Sequence, residues 1–143
     1  MLAEADDVPP PSNLAKMSAG QPLDDRDREP WLRDIAAWIA ARAGDGRPAV
    51  VTCSALKRSY RDLPRAASPR LAFLHLTGAP ELIAARMRAR SDHFMPVSLL
   101  DSQLATLEPL GPDERGRTLD VGSAPEELAA SAEAGLTGLR AGG

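Results

Sequence analysis

Apolar residues recur at helical spacing along this chain, and proline, glycine or a capping side chain marks most of the boundaries. Ser12 or Asn13 can cap a short helix that Gly20 ends. A second helix is predicted to start near Pro30, because proline suits the first helical turn. The apolar face of this second helix is formed by Trp31, Ile35, Trp38 and Ile39. Another helix is predicted over residues 80–90. Further apolar faces are formed by Leu56, Tyr60 and Leu63 ahead of Pro64, by Leu100, Leu104 and Leu107 after Pro96, and by Leu128, Ala132, Leu136 and Leu139 after Pro125.

Short apolar runs lie between these predicted helices. Residues 49–53 and 71–76 have few polar interruptions, which is typical of strands that are buried on both faces. Residues 2–5 and 118–121 predict two more short strands. Because strands that alternate with helices form parallel sheets with helices on both faces, the pattern predicts an α/β fold.

Composition narrows the class of protein. A chain of 143 residues has the size of one domain, and we expect a single domain over residues 1–143. The net charge of -3 favours neither nucleic acid nor an anionic membrane as a partner. No apolar run approaches the ~20 residues that span a bilayer. The N-terminus lacks the pattern of a signal peptide, and a single cysteine suits a reducing compartment, so we expect a cytoplasmic protein.

Two acids follow the first predicted strand. Ligands of open α/β sheets bind beyond the carboxyl ends of the strands. Asp6 could therefore accept a hydrogen bond or a proton from a substrate hydroxyl. The alternative is that Asp6 and Asp7 are a solvated pair that caps a turn.

Basic residues near the next helix form a second candidate. Lys16, Arg26 and Arg28 could hold a carboxylate or a phosphate, for which the forked guanidinium is suited. The alternative is a surface cluster in which three aspartates of residues 24–27 pair with them, and such pairs contribute little.

The segment Cys53-Ser-Ala-Leu-Lys57 lies where a strand is predicted to give way to a helix. Ser54 and the backbone N–H groups of that helix start could bind an anion, with Lys57 and Arg61 on the same face. The alternative is that Ser54 only caps the helix and that both cations are solvated. The two histidines have no metal-ligand spacing, and we predict no metal site.

A basic, interrupted helix forms the last candidate. Arg86 and Arg90 are four residues apart and repel each other unless an anion lies between them. Arg88 and His93 are close by, and such a segment could close over a phosphate as a lid. The alternative is an ordinary surface helix followed by a loop.

Three motifs in order resemble the bacterial-type gluconokinases, a family of the P-loop kinase superfamily. The first runs from residue 13 to residue 32, the second is Cys53-Ser-Ala-Leu-Lys57 with Tyr60-Arg61-Asp62, and the third begins at Arg90 with His93-Phe94. The third continues through Ser102-Gln103-Leu104, Thr106-Leu107-Glu108 and Asp113-Glu114.

The resemblance implies transfer of the γ-phosphate of ATP, with Mg²⁺, to the 6-hydroxyl of D-gluconate. It implies Asp6 as the acid that orients or deprotonates that hydroxyl, and Arg90 as a cation on the transferring group. It also implies a possible homodimer. The substrate would be held by Lys16, Arg28, Ser54, Lys57 and Arg61, and the lid would contain Arg86, Arg90 and His93.

The chain departs from this family in two respects. Pro9 stands where family members have histidine, and no Gly-x-x-x-x-Gly-Lys-[Ser/Thr] motif occurs in the 143 residues. We therefore expect a three-layer, P-loop kinase-like parallel sheet whose first, central strand and P-loop are missing from this chain. No residue is assigned to the nucleotide phosphates. Exposed strand edges should leave the chain poorly stable and inactive by itself.

Three functions remain open at this stage. The first is a gluconate kinase whose recorded start lies downstream of the true one. The second is a non-catalytic remnant that binds a sugar acid or a partner protein. The third is a kinase of the same fold that acts on another hydroxy acid, such as shikimate, and the motif of residues 13–32 favours gluconate over it.

Overall fold

The structure is a computed structural model that describes residues 2–5, 10–90 and 96–141, apart from the side chains of residues 140 and 141. Short strands alternate with helices along the chain. The strands are β1 (Leu2–Glu4), β2 (Val50–Thr52), β3 (Phe73–Thr77) and β4 (Gly116–Asp120). The helices are α1 (Pro11–Ser18), α2 (Asp25–Gly44), α3 (Arg58–Ala67), α4 (Pro80–Ala89), α5 (Leu100–Thr106) and α6 (Pro125–Ala141), with a 3-10 turn at Val97–Leu99.

The strands pair in parallel, as the alternation of helices and strands predicts. β1 pairs with β2, with Leu2 opposite Val50, and β3 pairs with β4, with Phe73 opposite Gly116. This parallel pairing confirms the predicted α/β class.

The chain divides into two compact units. The first unit contains residues 1–70 and 92–108, and the second contains residues 71–91 and 109–143. The single domain expected over residues 1–143 stays a prediction. Within the described residues, no helix has the length and hydropathy needed to cross a membrane.

Helix α2 supplies much of the core of the first unit. It begins at Asp25, five residues before the predicted start at Pro30, because Asp24 forms a capping box with Asp27. Trp31 and Ile35 are buried on its inner face, together with Leu32 and Ile39. The indole Nε1 of Trp31 donates to the Ala5 carbonyl at 2.9 Å, which ties α2 to the end of β1.

Helix α1 packs beside the start of α2. Neither Ser12 nor Asn13 caps it, because the helix begins at Pro11 and both residues lie inside it. The Asn13 side chain is instead buried and donates from Nδ2 to the Asp27 carbonyl at 2.7 Å. Gly20 follows the helix with φ of 74°, which confirms the predicted stop, because few other residues adopt that conformation readily.

Helix α3 differs from its predicted bounds at both ends. It begins at Arg58, and Pro64 lies inside it and is buried. Proline removes one backbone hydrogen bond, and here it does so close to the end of the helix at Ala67, where few helical bonds remain to be lost. Leu107 likewise lies just beyond α5, although it was predicted to share that helix's apolar side.

The second unit is built around β3 and β4. Two of its helices start at the prolines that predicted their starts, since α4 begins at Pro80 and α6 begins at Pro125. Gly116 lies so close to β3 that an added Cβ would stand 2.5 Å from the Phe73 carbonyl oxygen. A side chain at this position would therefore push the two strands apart.

The strands are less buried than their apolar sequences predict. Val50 on β2 is 58% exposed and Leu76 on β3 is 56% exposed. Among the described residues, β2 pairs only with β1 and β3 only with β4, so one edge of each of these two strands lacks a neighbour. The prediction of two fully buried strands is wrong for this reason. The expected poor stability of the chain by itself stays a prediction.

We expect these strand residues to promote self-association, because exposed apolar residues at unpaired edges attract other chains. Leu76→Lys should reduce the aggregated fraction severalfold in sedimentation velocity experiments. Leu14→Lys is the matched control, since Leu14 is also exposed but lies on α1. An equal improvement from both variants would contradict an origin in the strand edge.

Candidate functional site

A pocket of about 230 Å³ lies in the first unit. It is smaller than the ~300–1,000 Å³ pockets of drug-sized ligands, so its size suits a small metabolite. Apolar side chains and a few polar groups share its wall, as in most metabolite sites. It is lined by Met17, Pro22, Leu23, Arg28, Leu56, Leu99, Ser102, Gln103 and Thr106.

Arg28 is the charged residue of this wall. Arg28 is the fourth residue of α2, its side chain is directed inward, and only 6% of its surface is exposed. Nη1 donates to the Ser54 carbonyl at 3.1 Å, whereas the buried Nε has no hydrogen-bond partner. No carboxylate of the described residues lies within ion-pair distance of it. Burial lowers the pKa of Arg28, but an arginine retains its charge.

A buried cation with an unsatisfied N–H is costly unless something binds it. The guanidinium presents its donors in a planar fork that matches a carboxylate or a phosphate. Arg28 therefore makes this pocket suitable for an anion.

Tyr60 and its neighbours lie against Arg28. The buried Tyr60 ring has the Arg28 Cζ 5.4 Å from its centroid, and Lys57 Nζ is also 5.4 Å from it. The Tyr60 hydroxyl donates to Asp25, which also accepts from Lys57 at 3.1 Å. The Tyr60 hydrogen bond, followed by that of Lys57, lowers the pKa of Asp25. The pKa of Lys57 is raised, mainly by its bond to Asp25.

Lys16 is already paired in this structure. Its ammonium lies 2.7 Å from Asp27 Oδ2, the same oxygen that accepts from the Asp24 N–H at 3.0 Å. The hydrogen bond with Asp27 raises the pKa of Lys16 and lowers that of Asp27. Lys16 thus follows the surface-pair alternative, and it does not line the pocket.

The segment between β2 and α3 is held by Arg61. This arginine is 4% exposed, and its Nη1 donates to the carbonyls of Ala55, Leu56 and Glu108 at 3.2, 3.1 and 3.0 Å. The alternative of a solvated Arg61 is therefore wrong. Its predicted contact with substrate stays a prediction.

At the helix start where an anion site was predicted, one N–H group is already bonded within the chain. Because α3 begins at Arg58, Ser54 does not cap it, and Lys57 stands at the N-cap position. The Arg58 N–H donates to the Glu108 carboxylate at 2.8 Å. Ser54 instead contributes its backbone carbonyl, which orients Arg28.

The remaining predicted residues belong to other parts of the chain. Arg86 lies in α4 and Arg90 follows its last residue, both exposed in the second unit. Asp6 and His93 lie outside the described residues. In the first unit the structure brings together Arg28, Ser54 and Lys57. Arg61 contacts the segment between β2 and α3 through its hydrogen bonds to Ala55 and Leu56.

The sequence motifs contain several pocket residues to which no role was assigned. Ser102, Gln103 and Thr106 were quoted only as part of a motif, yet they present polar groups from α5. Their spacing could have identified them, because residues 102 and 106 are four apart and therefore share a helical face. Asp25 and Tyr60 gave no comparable signal, because their contact joins residues 35 positions apart.

The paired aspartates predict a pH dependence of folding. In the folded chain the pKa values of Asp25 and Asp27 lie below the ordinary 3.8, so each carboxylate stabilises the fold above that value. This contribution should be lost as the pH falls through the two lowered pKa values. The thermal midpoint of the double variant D25N/D27N should therefore fall less steeply than that of the unaltered chain between pH 5 and pH 2. Parallel curves would contradict this assignment.

The fold agrees with that of similar proteins of known structure. No model of a protein family matches the chain. It is 50% identical over 111 residues to a gluconokinase of Gluconobacter oxydans, covering 78% of this chain and 62% of the relative. It is 40% identical to a probable gluconokinase of Xenopus tropicalis, covering 82% of this chain and 70% of the relative. The crystal structure of a sugar kinase from Janibacter superposes with a TM-score of 0.89 at 53% identity, over 95% of this chain and 79% of that one.

The parallel strand pairs and the likeness to a solved sugar kinase define the fold as that of P-loop kinases. Within that fold, the sequence identities to its relatives specify the family. The chain belongs to the gluconokinase family. It spans 62% of the length of the Gluconobacter relative.

Proposed function

We propose that this protein phosphorylates D-gluconate at its 6-hydroxyl with ATP and that the first unit supplies the sugar-acid pocket. The observation that carries the proposal is Arg28, a buried cation that lines a small pocket and whose Nε has no hydrogen-bond partner. Gluconate combines one carboxylate with a chain of hydroxyl groups. Both features match this wall.

The carboxylate would bind to Arg28, because a guanidinium pairs best with a planar anion. Lys57 follows the pocket residue Leu56 and would supply the second cation. The hydroxyl groups would meet the polar side of α5. Thr106 Oγ1 already donates to the Ser102 carbonyl at 2.9 Å, so its lone pairs are suited to accept from a sugar hydroxyl.

Other residues keep the roles that family resemblance suggests. Asp6 would orient or deprotonate the 6-hydroxyl, while Arg86, Arg90 and His93 would form the lid. Ser54 would act through its carbonyl and Arg61 by holding the segment between β2 and α3. Lys16 would take part only after release from Asp27.

The residues present do not fit a bound nucleotide or its metal. The 143 residues contain no P-loop motif, and among the described residues no group of three or more His, Cys, Asp or Glu could hold a metal ion. ATP and Mg²⁺ therefore belong to the proposal for the whole protein. No step is assigned to them on this chain.

The missing motif also supports a second candidate function. The 143 residues by themselves would bind a sugar acid without transferring phosphate. The two candidates make the same prediction for binding and opposite predictions for turnover.

Calorimetric titration with D-gluconate and with shikimate tests the substrate. We expect saturable gluconate binding and at least about tenfold weaker shikimate binding, since the pocket residues come from a gluconokinase-like chain. An assay with ATP and Mg²⁺ then separates the two candidates. Absence of gluconate binding, or a preference for shikimate, would overturn the proposed substrate.

A further inference from the structure

One aromatic ring in the first unit contacts two cations. Tyr60 is the third residue of α3 and is 6% exposed. Arg28 Cζ and Lys57 Nζ each lie 5.4 Å from the ring centroid. Cations within about 6 Å of an aromatic face are attracted by its quadrupole. The ring thus contacts one side chain from α2 and one from the N-cap position of α3.

The two cations repel each other, and the structure offsets this only in part. Asp25 is the carboxylate of the cluster, and it accepts from both the Tyr60 hydroxyl and Lys57 Nζ. Arg28, Lys57 and Asp25 together carry a net charge of about +1, since all three are ionised near neutral pH. The cluster can therefore accept one more negative charge.

The cluster adjoins the pocket through Arg28. Arg28 lines the pocket, and Lys57 follows the lining residue Leu56 in the chain. Tyr60 itself does not line it. Its action on a ligand would therefore pass through the two cations.

Resting on the proposed function, we infer that Tyr60 is a positioning residue that sets specificity for an acidic sugar. Its ring holds Arg28 and Lys57 where both can attract one carboxylate, and its hydroxyl links them to Asp25. Without the ring the two cations would separate, and the pocket would discriminate less between a sugar acid and its neutral analogue.

The test compares D-gluconate with D-gluconamide, which keeps the hydroxyl chain but carries no charge. Calorimetric titrations would use the unaltered chain, Tyr60→Phe and Tyr60→Leu. Tyr60→Phe keeps the ring, so the preference for gluconate should stay within about threefold of its original value. Tyr60→Leu should lower gluconate affinity by about tenfold or more and gluconamide affinity by less than about threefold.

Ile39→Ala controls for loss of packing. Ile39 is buried on α2 and is absent from the ring cluster and from the pocket wall, so this variant should lower the thermal midpoint while keeping the gluconate preference. Equal losses for both ligands in Tyr60→Leu, or an unchanged gluconate affinity, would overturn the positioning role alone. Failure of the unaltered chain to bind gluconate would overturn the proposed function together with this inference.

Discussion

Replacing Arg28 with methionine should weaken D-gluconate binding by about a hundredfold, or ~3 kcal/mol, because truncating one partner of a buried charge pair costs ~2–5 kcal/mol. Methionine keeps much of the length of the side chain and removes the charge and the donors. The measurement is a calorimetric titration, with the thermal midpoint recorded alongside. The Ser54 carbonyl also loses its donor in this variant, so some loss of stability is expected.

Arg33→Met is the matched control for this prediction. Arg33 is on the same helix, but its side chain is 68% exposed and pairs with Glu29 across one turn. The control should bind gluconate like the unaltered chain. Arg28→Lys should be weaker by about tenfold, because an ammonium keeps the charge and lacks the fork. Unchanged binding by Arg28→Met, or an equal loss in both methionine variants, would remove Arg28 from the site.

The second large effect concerns stability. Trp31→Ala should cost ~3–5 kcal/mol, the usual penalty for truncating a buried tryptophan. Trp31 is 2% exposed, and the Ala5 carbonyl would lose its indole donor. Since domains of this size have total stabilities of only ~5–15 kcal/mol, the variant should be largely unfolded in mild urea. Urea titration followed by circular dichroism measures this change.

Trp38→Ala provides the comparison on the same helix. Trp38 is only half-buried, and its ring lies 5.9 Å from the Arg42 guanidinium carbon. We expect a loss of ~1 kcal/mol for this exposed-face contact and its packing. Similar urea midpoints for the two variants would show that the link from α2 to β1 contributes little.

Much of the fold could be predicted because local signals decide it. Alternating apolar runs and helical faces predicted the parallel strand pairs, and Pro80 and Pro125 marked the starts of their helices. The start of α2 was missed because the capping box at Asp24 and Asp27 lies upstream of the more conspicuous Pro30. The burial of Val50 and Leu76 was overestimated because sequence shows apolar character but does not show whether a neighbouring strand is present.

The sequence predicted which residues belong to the candidate site but not how they contact one another. A group of basic residues pointed to Arg28, the segment between a predicted strand and helix pointed to Lys57, and a motif contained Gln103. Sequence could not show that Lys16 pairs with Asp27, nor that Tyr60 lies between two cations. These contacts join different helices, and their geometry depends on tertiary packing rather than on local pattern.

The segment between β2 and α3 has little regular structure of its own, and its shape is set from outside by Arg61 and Glu108. Because of this dependence, the segment by itself would not keep its conformation in another protein. Grafting residues 53–57 onto another α/β scaffold would transfer the sequence of the motif but not the hydrogen bonds from Arg61 and Glu108 that fix its conformation. A graft that keeps this conformation must include the first turn of α3 and an acidic residue at the position of Glu108. Engineering of residues 53–57 should keep these elements together.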